Sequence, residues 1–382
     1  MKTRILLIII PVLLSIFMIC NPQASLTAAR DGLALWYTVL LPALLPFFIV
    51  TELLASSGFI KMSGRLLEPL MRPLFNLPGC ASLVIVMGFT SGFPVGAILS
   101  RRLYQDGLLT ADETERLASF TNNSSPLFII GAVGAGLFGS AQVGYVLAVS
   151  HYFSNLLLGF LLRFKRPAAS SIQSDRQALQ PGRQPDSVGE FLSSAIKNSL
   201  NNIIAIAGFV ILFSVLTRML LIWGFIDMLA AGITGFLSWW HLPSTISYGV
   251  SLGLFEISIA TRSVSLAPHG DLLCRMLAVS SILAFSGFSI IAQVTGILAD
   301  TPVRPSFYVK ARLAQLALSL PLTVLAFRSL VPNQAVTTIC YNPGPTALYS
   351  FDAWGLALRC LLAGLALMII LIIAGLICSR AQ

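Results

Sequence analysis

Gly88-Phe89-Thr90-Ser91-Gly92-Phe93-Pro94 stands in the middle of an otherwise apolar run over 81–100. A continuous helix carries glycine at a cost of roughly 1 kcal/mol and proline at about 3, so this stretch argues against an unbroken rod. The run is nevertheless long enough to enter a hydrocarbon layer of about 30 Å, which a helix crosses with roughly 20 apolar residues. A re-entrant hairpin or a broken helix satisfies both observations. A second interruption, Gly253-Leu254-Phe255-Glu256-Ile257-Ser258, lies in the run 246–264. Backbone freed at membrane depth needs protein or a watery cavity to satisfy it, so the two breaks point to a polar site.

Outward from these breaks, apolar runs occur at 5–20, 33–54, 120–138, 142–162, 203–223, 277–298, 311–327 and 355–378, with a shorter one at 225–240. The expected fold is an all-α polytopic membrane protein with about eight spanning helices plus two re-entrant or broken helices in an inverted repeat. Composition agrees, since 56% of the 382 residues are hydrophobic and 10% charged, against about a quarter charged in soluble domains. Pro42 and Pro46 predict kinks in the second run. The basic stretch 61–78 suits the interface, and Thr110 with Asp112 and Glu113 reads as a helix start. Lys2 and Arg4 before 5–20 fit a signal peptide or an anchor, and an uncleaved helix is expected.

The net charge of +9 does not imply nucleic acid here, because the basic residues cluster in short connections beside apolar runs. With the N-terminus inside and both broken segments returning to the side they entered from, 18 of the 24 basic residues fall inside, Arg312 and Arg304 among them. The first break then enters from the cytoplasm and the second from the opposite side, as in inverted-repeat transporters. Gly88 precedes Phe120 by 32 residues, and Gly253 precedes Phe285 by the same 32. The expected organisation is an N-terminal membrane helix or signal anchor (1–25), a first repeat (30–162), a mobile cytoplasmic loop (163–190), a second repeat (191–330), and an outer loop with a final helix (331–382).

Candidate solute-binding residues follow from the breaks. Thr90, Ser91 and Gly92 face the run Asn122, Asn123, Ser124 and Ser125, where hydroxyls, amides and open backbone could hold a polar solute. Half-helix N-termini would favour an anion. In the second half Glu256 is the sharpest residue, since an ionised carboxylate in a membrane costs about 3 kcal/mol; it could bind a cation or proton, or pair with Arg262. Ser258, Ser286, Ser289 and Gln293 complete the set. The competing reading is that these small polar side chains only bond neighbouring helices together. His151 and Asn155, one turn apart, read as a structural hydrogen bond before a proton relay, and Glu52 as an interfacial residue.

Enzyme signatures are missing: the chain has no Walker loop, HExxH or GxSxG, and its six cysteines are scattered without a CxxC pair. No catalytic residue, metal or cofactor is expected. The partners expected are a small-molecule solute and the lipid bilayer, with association into a homo-oligomer left open.

The residues 88–97 and 117–131, Gly253-Leu254-Phe255-Glu256-Ile257, and Ala284-Phe285-Ser286-Gly287-Phe288-Ser289-Ile290-Ile291-Ala292-Gln293-Val294 resemble the sporulation integral membrane protein YlbJ (SpoVV) family, with its nucleoside-recognition gate domain. The resemblance covers about residues 30–330. It implies export of a small aromatic dicarboxylate, dipicolinic acid, across the outer forespore membrane of an organism that makes spores, from a place in the bacterial cell membrane. The alternatives it leaves are a nucleoside transporter, or a membrane scaffold of sporulation that keeps a transporter-like fold.

Overall fold

The computed structural model describes residues 2–57, 59–165, 187–236, 243–268 and 270–331. The expected final helix, the outer loop before it and most of the central loop lie outside them. Everything described is helical or loop. Helix α1 (Lys2–Cys20) meets α2 (Pro22–Leu35) at a bend of 111°. A π-helical turn, π1 (Trp36–Leu40), then leads into α3 (Leu41–Ser56). The second expected run is therefore part of a much longer element over 22–56. Pro42 has no N–H to give the carbonyl four residues back, and the ladder widens just ahead of it, where the Leu41 N–H bonds to the Trp36 carbonyl.

Helix α4 (Phe59–Phe75) is the expected amphipathic segment, burying Ser63, Gly64, Leu67 and Met71 and exposing Arg65 and Arg72. The first interrupted run is α5 (Ala81–Ser91) and α6 (Val95–Gln105), which fold back and pack on each other. Helix α7 (Ala111–Thr121) opens with a reciprocal cap: the Thr110 hydroxyl accepts from the Glu113 N–H, and the Glu113 carboxylate accepts from the Thr110 N–H. After an irregular stretch comes π2 (Leu127–Leu137), then α8 (Ala141–Leu162). The expected single span over 120–138 is thus divided at its polar end.

The second half follows the same order. Helix α9 (Val188–Ile222) is 35 residues long and runs beside α2 and α3. The Trp36 indole N–H bonds to the Ile203 carbonyl at 2.9 Å, tying the two long elements together at the π turn. Then come α10 (Phe225–Phe236), the folded-back pair α11 (Ser244–Gly253) and α12 (Ile257–Ser265), the pair α13 (Leu272–Phe285) and α14 (Gly287–Ile297), and α15 (Pro305–Leu330). Helices α8 and α15, one from each half, form an extensive contact at the centre.

The chain is an all-helical integral membrane protein. Among the described residues, four helices are long and apolar enough to cross a bilayer (141–162, 188–222, 272–297 taken through its break, and 305–330), or five with the bent pair. The expected eight is not reached because several runs are divided into shorter pieces, such as Ala81–Ser91 and Leu127–Leu137, and one lies outside the description.

Six cations pair with acids among the described residues. Arg102 pairs with the buried Glu52, Arg101 with Asp300, Arg116 with Asp112, Arg72 with Glu68, and both Lys165 and Arg304 reach Glu115 at 2.7 Å. All six cations belong to the group assigned inside by charge. Arg312 does not follow that assignment. It is fully buried within α15, where its contacts are main-chain and amide oxygens.

Candidate functional site

The hairpin of α5 and α6 turns at Gly92, whose φ of +90° suits a residue without Cβ, and at a cis Phe93–Pro94 bond. A Cβ on Gly92 would stand 2.9 Å from the Cβ of Ser125, so the turn sits directly against the irregular stretch after α7. Asn122 joins the two: its Oδ1 accepts from the Ala97 N–H at 2.9 Å, near the start of α6, and its Nδ2 donates to the Ala118 carbonyl at 2.7 Å. The N-terminus of α6 therefore already holds a side-chain acceptor.

Groups from the other side of the bundle satisfy the broken end of α7. Arg312 donates to the carbonyls of Ser119 and Asn122, the latter at 3.2 Å, and to Asn155 Oδ1 at 3.4 Å. Its guanidinium lies 5.1 Å over the Tyr308 ring. The Ser124 N–H donates to His151 Nε2 at 3.3 Å, and the Ser124 carbonyl accepts from the Tyr152 hydroxyl at 2.9 Å. Because a backbone N–H only donates, His151 Nε2 is an acceptor and the ring proton resides on Nδ1. The Gln315 amide is 3.4 Å from Nδ1. Turning that amide so its oxygen faces the ring gives the oxygen the partner it otherwise lacks.

Of the predicted residues here, Thr90 is occupied with the Val86 carbonyl at 2.9 Å, and the Ser125 hydroxyl accepts from the Phe128 N–H at 3.2 Å. Asn123 donates to the Phe120 carbonyl at 3.2 Å. Three buried atoms at this joint have no hydrogen-bond partner: Ser91 Oγ, Asn123 Oδ1 and Ser124 Oγ. Such groups lose about 1–3 kcal/mol each when left unsatisfied, which marks where a polar ligand would be welcome.

The second joint is made of backbone. The Phe288 N–H donates to the Leu254 carbonyl at 2.7 Å and the Ser289 N–H to the Phe255 carbonyl at 3.1 Å, pinning the α11–α12 turn to the start of α14. The break itself is Ser286, left-handed at φ 71°, whose hydroxyl donates to the Leu283 carbonyl at 3.2 Å. Glu256 caps α12 with its own carboxylate, accepting from the N–H groups of Ser258 at 3.0 Å and Ile259 at 2.7 Å. It makes no ion pair with Arg262 among the described residues. Gln293 reaches Ser289 at 3.5 Å.

The structure therefore gathers the predicted residues into two groups, one per hairpin. The two hairpin turns meet through apolar contacts: Phe93 and Phe255, one from each turn, pack against the same buried cluster, and Leu254 packs against a cluster that includes Ala97. No hydrogen bond links the polar members of the two groups among the described residues. Among the described residues, an open cavity of about 720 Å³ lies beside Asp227 and Tyr248, and one of about 460 Å³ beside Phe209 and Tyr308, whose ring lies under the Arg312 guanidinium. Arg312 and Gln315 were missed as site residues. Their three-residue spacing inside an apolar helix, one turn apart like the four-residue pair His151 and Asn155 on another, was the available signal.

Comparison with known proteins bears on the same segments. A family profile described as "Gate: Nucleoside recognition" matches residues 37–141. The sporulation integral membrane protein YlbJ of Bacillus subtilis is 40% identical over 311 residues, which cover 78% of this chain and 76% of that protein. An uncharacterized protein of Alkalihalophilus pseudofirmus is 31% identical over 84 residues, 21% of this chain and 18% of that one. A solved structure described as CNTnw in an inward-facing substrate-bound state aligns with a TM-score of 0.44 and 14% identity, over 78% of this chain and 82% of the other.

Proposed function

This chain belongs to the YlbJ family of sporulation integral membrane proteins, and from that premise we propose that it is a secondary transporter or facilitator of a small polar anion, dipicolinic acid by family resemblance. Its two halves, 30–162 and 191–330, act as inverted repeats. Each contributes a hairpin seated on a broken helix, and cargo passes where the two turns approach.

One observation carries this reading most directly. Ser91, Asn123 and Ser124 present buried polar atoms without partners at the joint between a hairpin turn and a broken helix. Irregular backbone at membrane depth is kept where protein or a watery cavity satisfies it, and the unpartnered side-chain atoms favour the second here. The remaining candidates, Thr90, Gly92, Asn122, Ser125, Glu256, Ser258, Ser286, Ser289 and Gln293, shape the two joints around that passage. The gate profile's description favours a nucleoside as the second candidate cargo.

The test is uptake into proteoliposomes of labelled pyridine-2,6-dicarboxylate and uridine, with and without a pH gradient. Ser91→Ala and Asn123→Ala are expected to lower uptake of the dicarboxylate by about ten-fold at unchanged protein content. Uptake no greater than in empty vesicles for either solute would remove the transport reading and leave a scaffold.

A further inference from the structure

We infer that Arg312 is the residue that gives this site its preference for negative charge, acting as the counter-ion of an anionic group on the cargo. The inference rests on the transport reading above and deepens it.

Arg312 has zero exposure inside a membrane helix. No carboxylate lies within ion-pair distance of it among the described residues. Its hydrogen bonds run to two main-chain carbonyls and one amide, all neutral, and its Nε has no partner. The carbonyls of Ser119 and Asn122 belong to the C-terminal end of α7, whose dipole supplies about half a unit of negative charge. The guanidinium thus has neutral partners only, a helix end and the Tyr308 ring among them, in surroundings where a charge without an ion partner is costly. A protein needing only to cap α7 could do so with a neutral donor at far less cost.

The neighbourhood shows what the missing charge would belong to. The carbonyls that Arg312 holds close α7 directly before the residues that carry the unpartnered Asn123 Oδ1 and Ser124 Oγ. A planar guanidinium with a free N–H suits a carboxylate, and the amide and hydroxyl of Asn123 and Ser124, the next two residues in sequence, offer neutral groups for its further polar atoms. The cargo class is thus a small organic anion with a carboxylate and further polar atoms.

The experiment compares pyridine-2,6-dicarboxylate with its uncharged diamide, in full-length protein reconstituted in vesicles. Flux and ligand-induced thermal stabilisation are both measured. The wild type is expected to favour the dicarboxylate. In Arg312→Gln that preference falls by about ten- to a hundred-fold while handling of the diamide is kept, and Arg312→Lys retains part of it.

Asn155→Asp tests the same point without touching the arginine: it places a carboxylate where Asn155 Oδ1 now accepts from Arg312, and is expected to lower the dicarboxylate preference. If both variants treat dicarboxylate and diamide in the wild-type ratio, Arg312 is only a cap for α7 and the inference is overturned. A wild type that moves uridine but is neither crossed nor stabilised by the dicarboxylate overturns the charge assignment and leaves transport standing. A wild type indifferent to all three solutes overturns both.

Discussion

The two broken hairpins share a spacing and a place in the order of elements, yet they are held in opposite ways. In the first, the stretch after α7 spans several irregular residues, whose backbone is satisfied by His151 and Tyr152 from α8 and Arg312 from α15, while its own Asn122 side chain reaches across to the Ala97 N–H of α6. In the second, left-handed Ser286 and Gly287 make the break, two main-chain hydrogen bonds seat the turn, and Glu256 caps its own helix. The first joint draws on side chains up to 193 positions away in sequence, the second on main-chain bonds between segments 34 positions apart. A repeated architecture therefore does not imply a repeated chemistry. The unpartnered polar atoms gather at the joint built from side chains, which makes it the better candidate for contact with cargo.

The sharpest way to break this comparison is to crowd both hairpins equally. A Cβ at Gly88 would lie 2.2 Å from the Thr121 carbonyl oxygen, which is backbone and fixed by α7. A Cβ at Gly253 would lie 2.5 Å from Cγ1 of Ile282, a side chain that can turn away. Gly88→Ala is expected to destabilise the protein by about 3 kcal/mol and Gly253→Ala by about 1, read from thermal unfolding in detergent. Equal losses would mean that the two joints are equally rigid.

A smaller contrast concerns charge, where the halves are joined by Arg304 and Glu115. Glu115 is buried, which by itself would raise its pKa, but hydrogen bonds from Arg304 and Lys165 outweigh burial and bring it down from 4.5 to about 2. A carboxylate with a lowered folded pKa stabilises above its unfolded value, and that contribution disappears as pH falls through the folded one. Wild type should therefore exceed Glu115→Gln in stability at pH 7, hold that margin down to about pH 4.5, and lose it on approaching about pH 2. A margin unchanged at pH 2 would show that Glu115 acts through packing and not through charge.

How much of this was legible in the sequence depends on the range of the forces involved. The interruptions at Gly88–Pro94 and Gly253–Ser258 could be read because glycine and proline act locally on the backbone, and the 32-residue spacing could be read for the same reason. The capping box at Thr110 and Glu113 is likewise a contact over three residues. Arg312 could not be placed. A basic residue near the end of an apolar run looks like an interfacial anchor, and its carbonyl partners are 190 or more positions away. The widening before Pro42 was read as a kink, because whether a ladder bends or dilates is decided by the helix packed against it, here α9 through Trp36.

Glu256 offers the last and smallest test, and it bears on how a carboxylate in an apolar run should be read. Its context suggested an ion site, yet its oxygens accept from the N–H groups two and three residues on, the geometry of an N-cap. If capping is its whole role, Glu256→Asp and Glu256→Ser should keep the α12 start intact and cost under about 0.5 kcal/mol, while Glu256→Ala costs about 1 kcal/mol. Uptake would then follow stability across the series. If the carboxylate also carries a proton or cation, Glu256→Ser would abolish the response of uptake to a pH or cation gradient at unchanged stability, because a hydroxyl caps a helix and cannot exchange a charge. A loss of gradient response in Glu256→Ser but not in Glu256→Asp would assign the second hairpin a role in coupling and narrow its difference from the first.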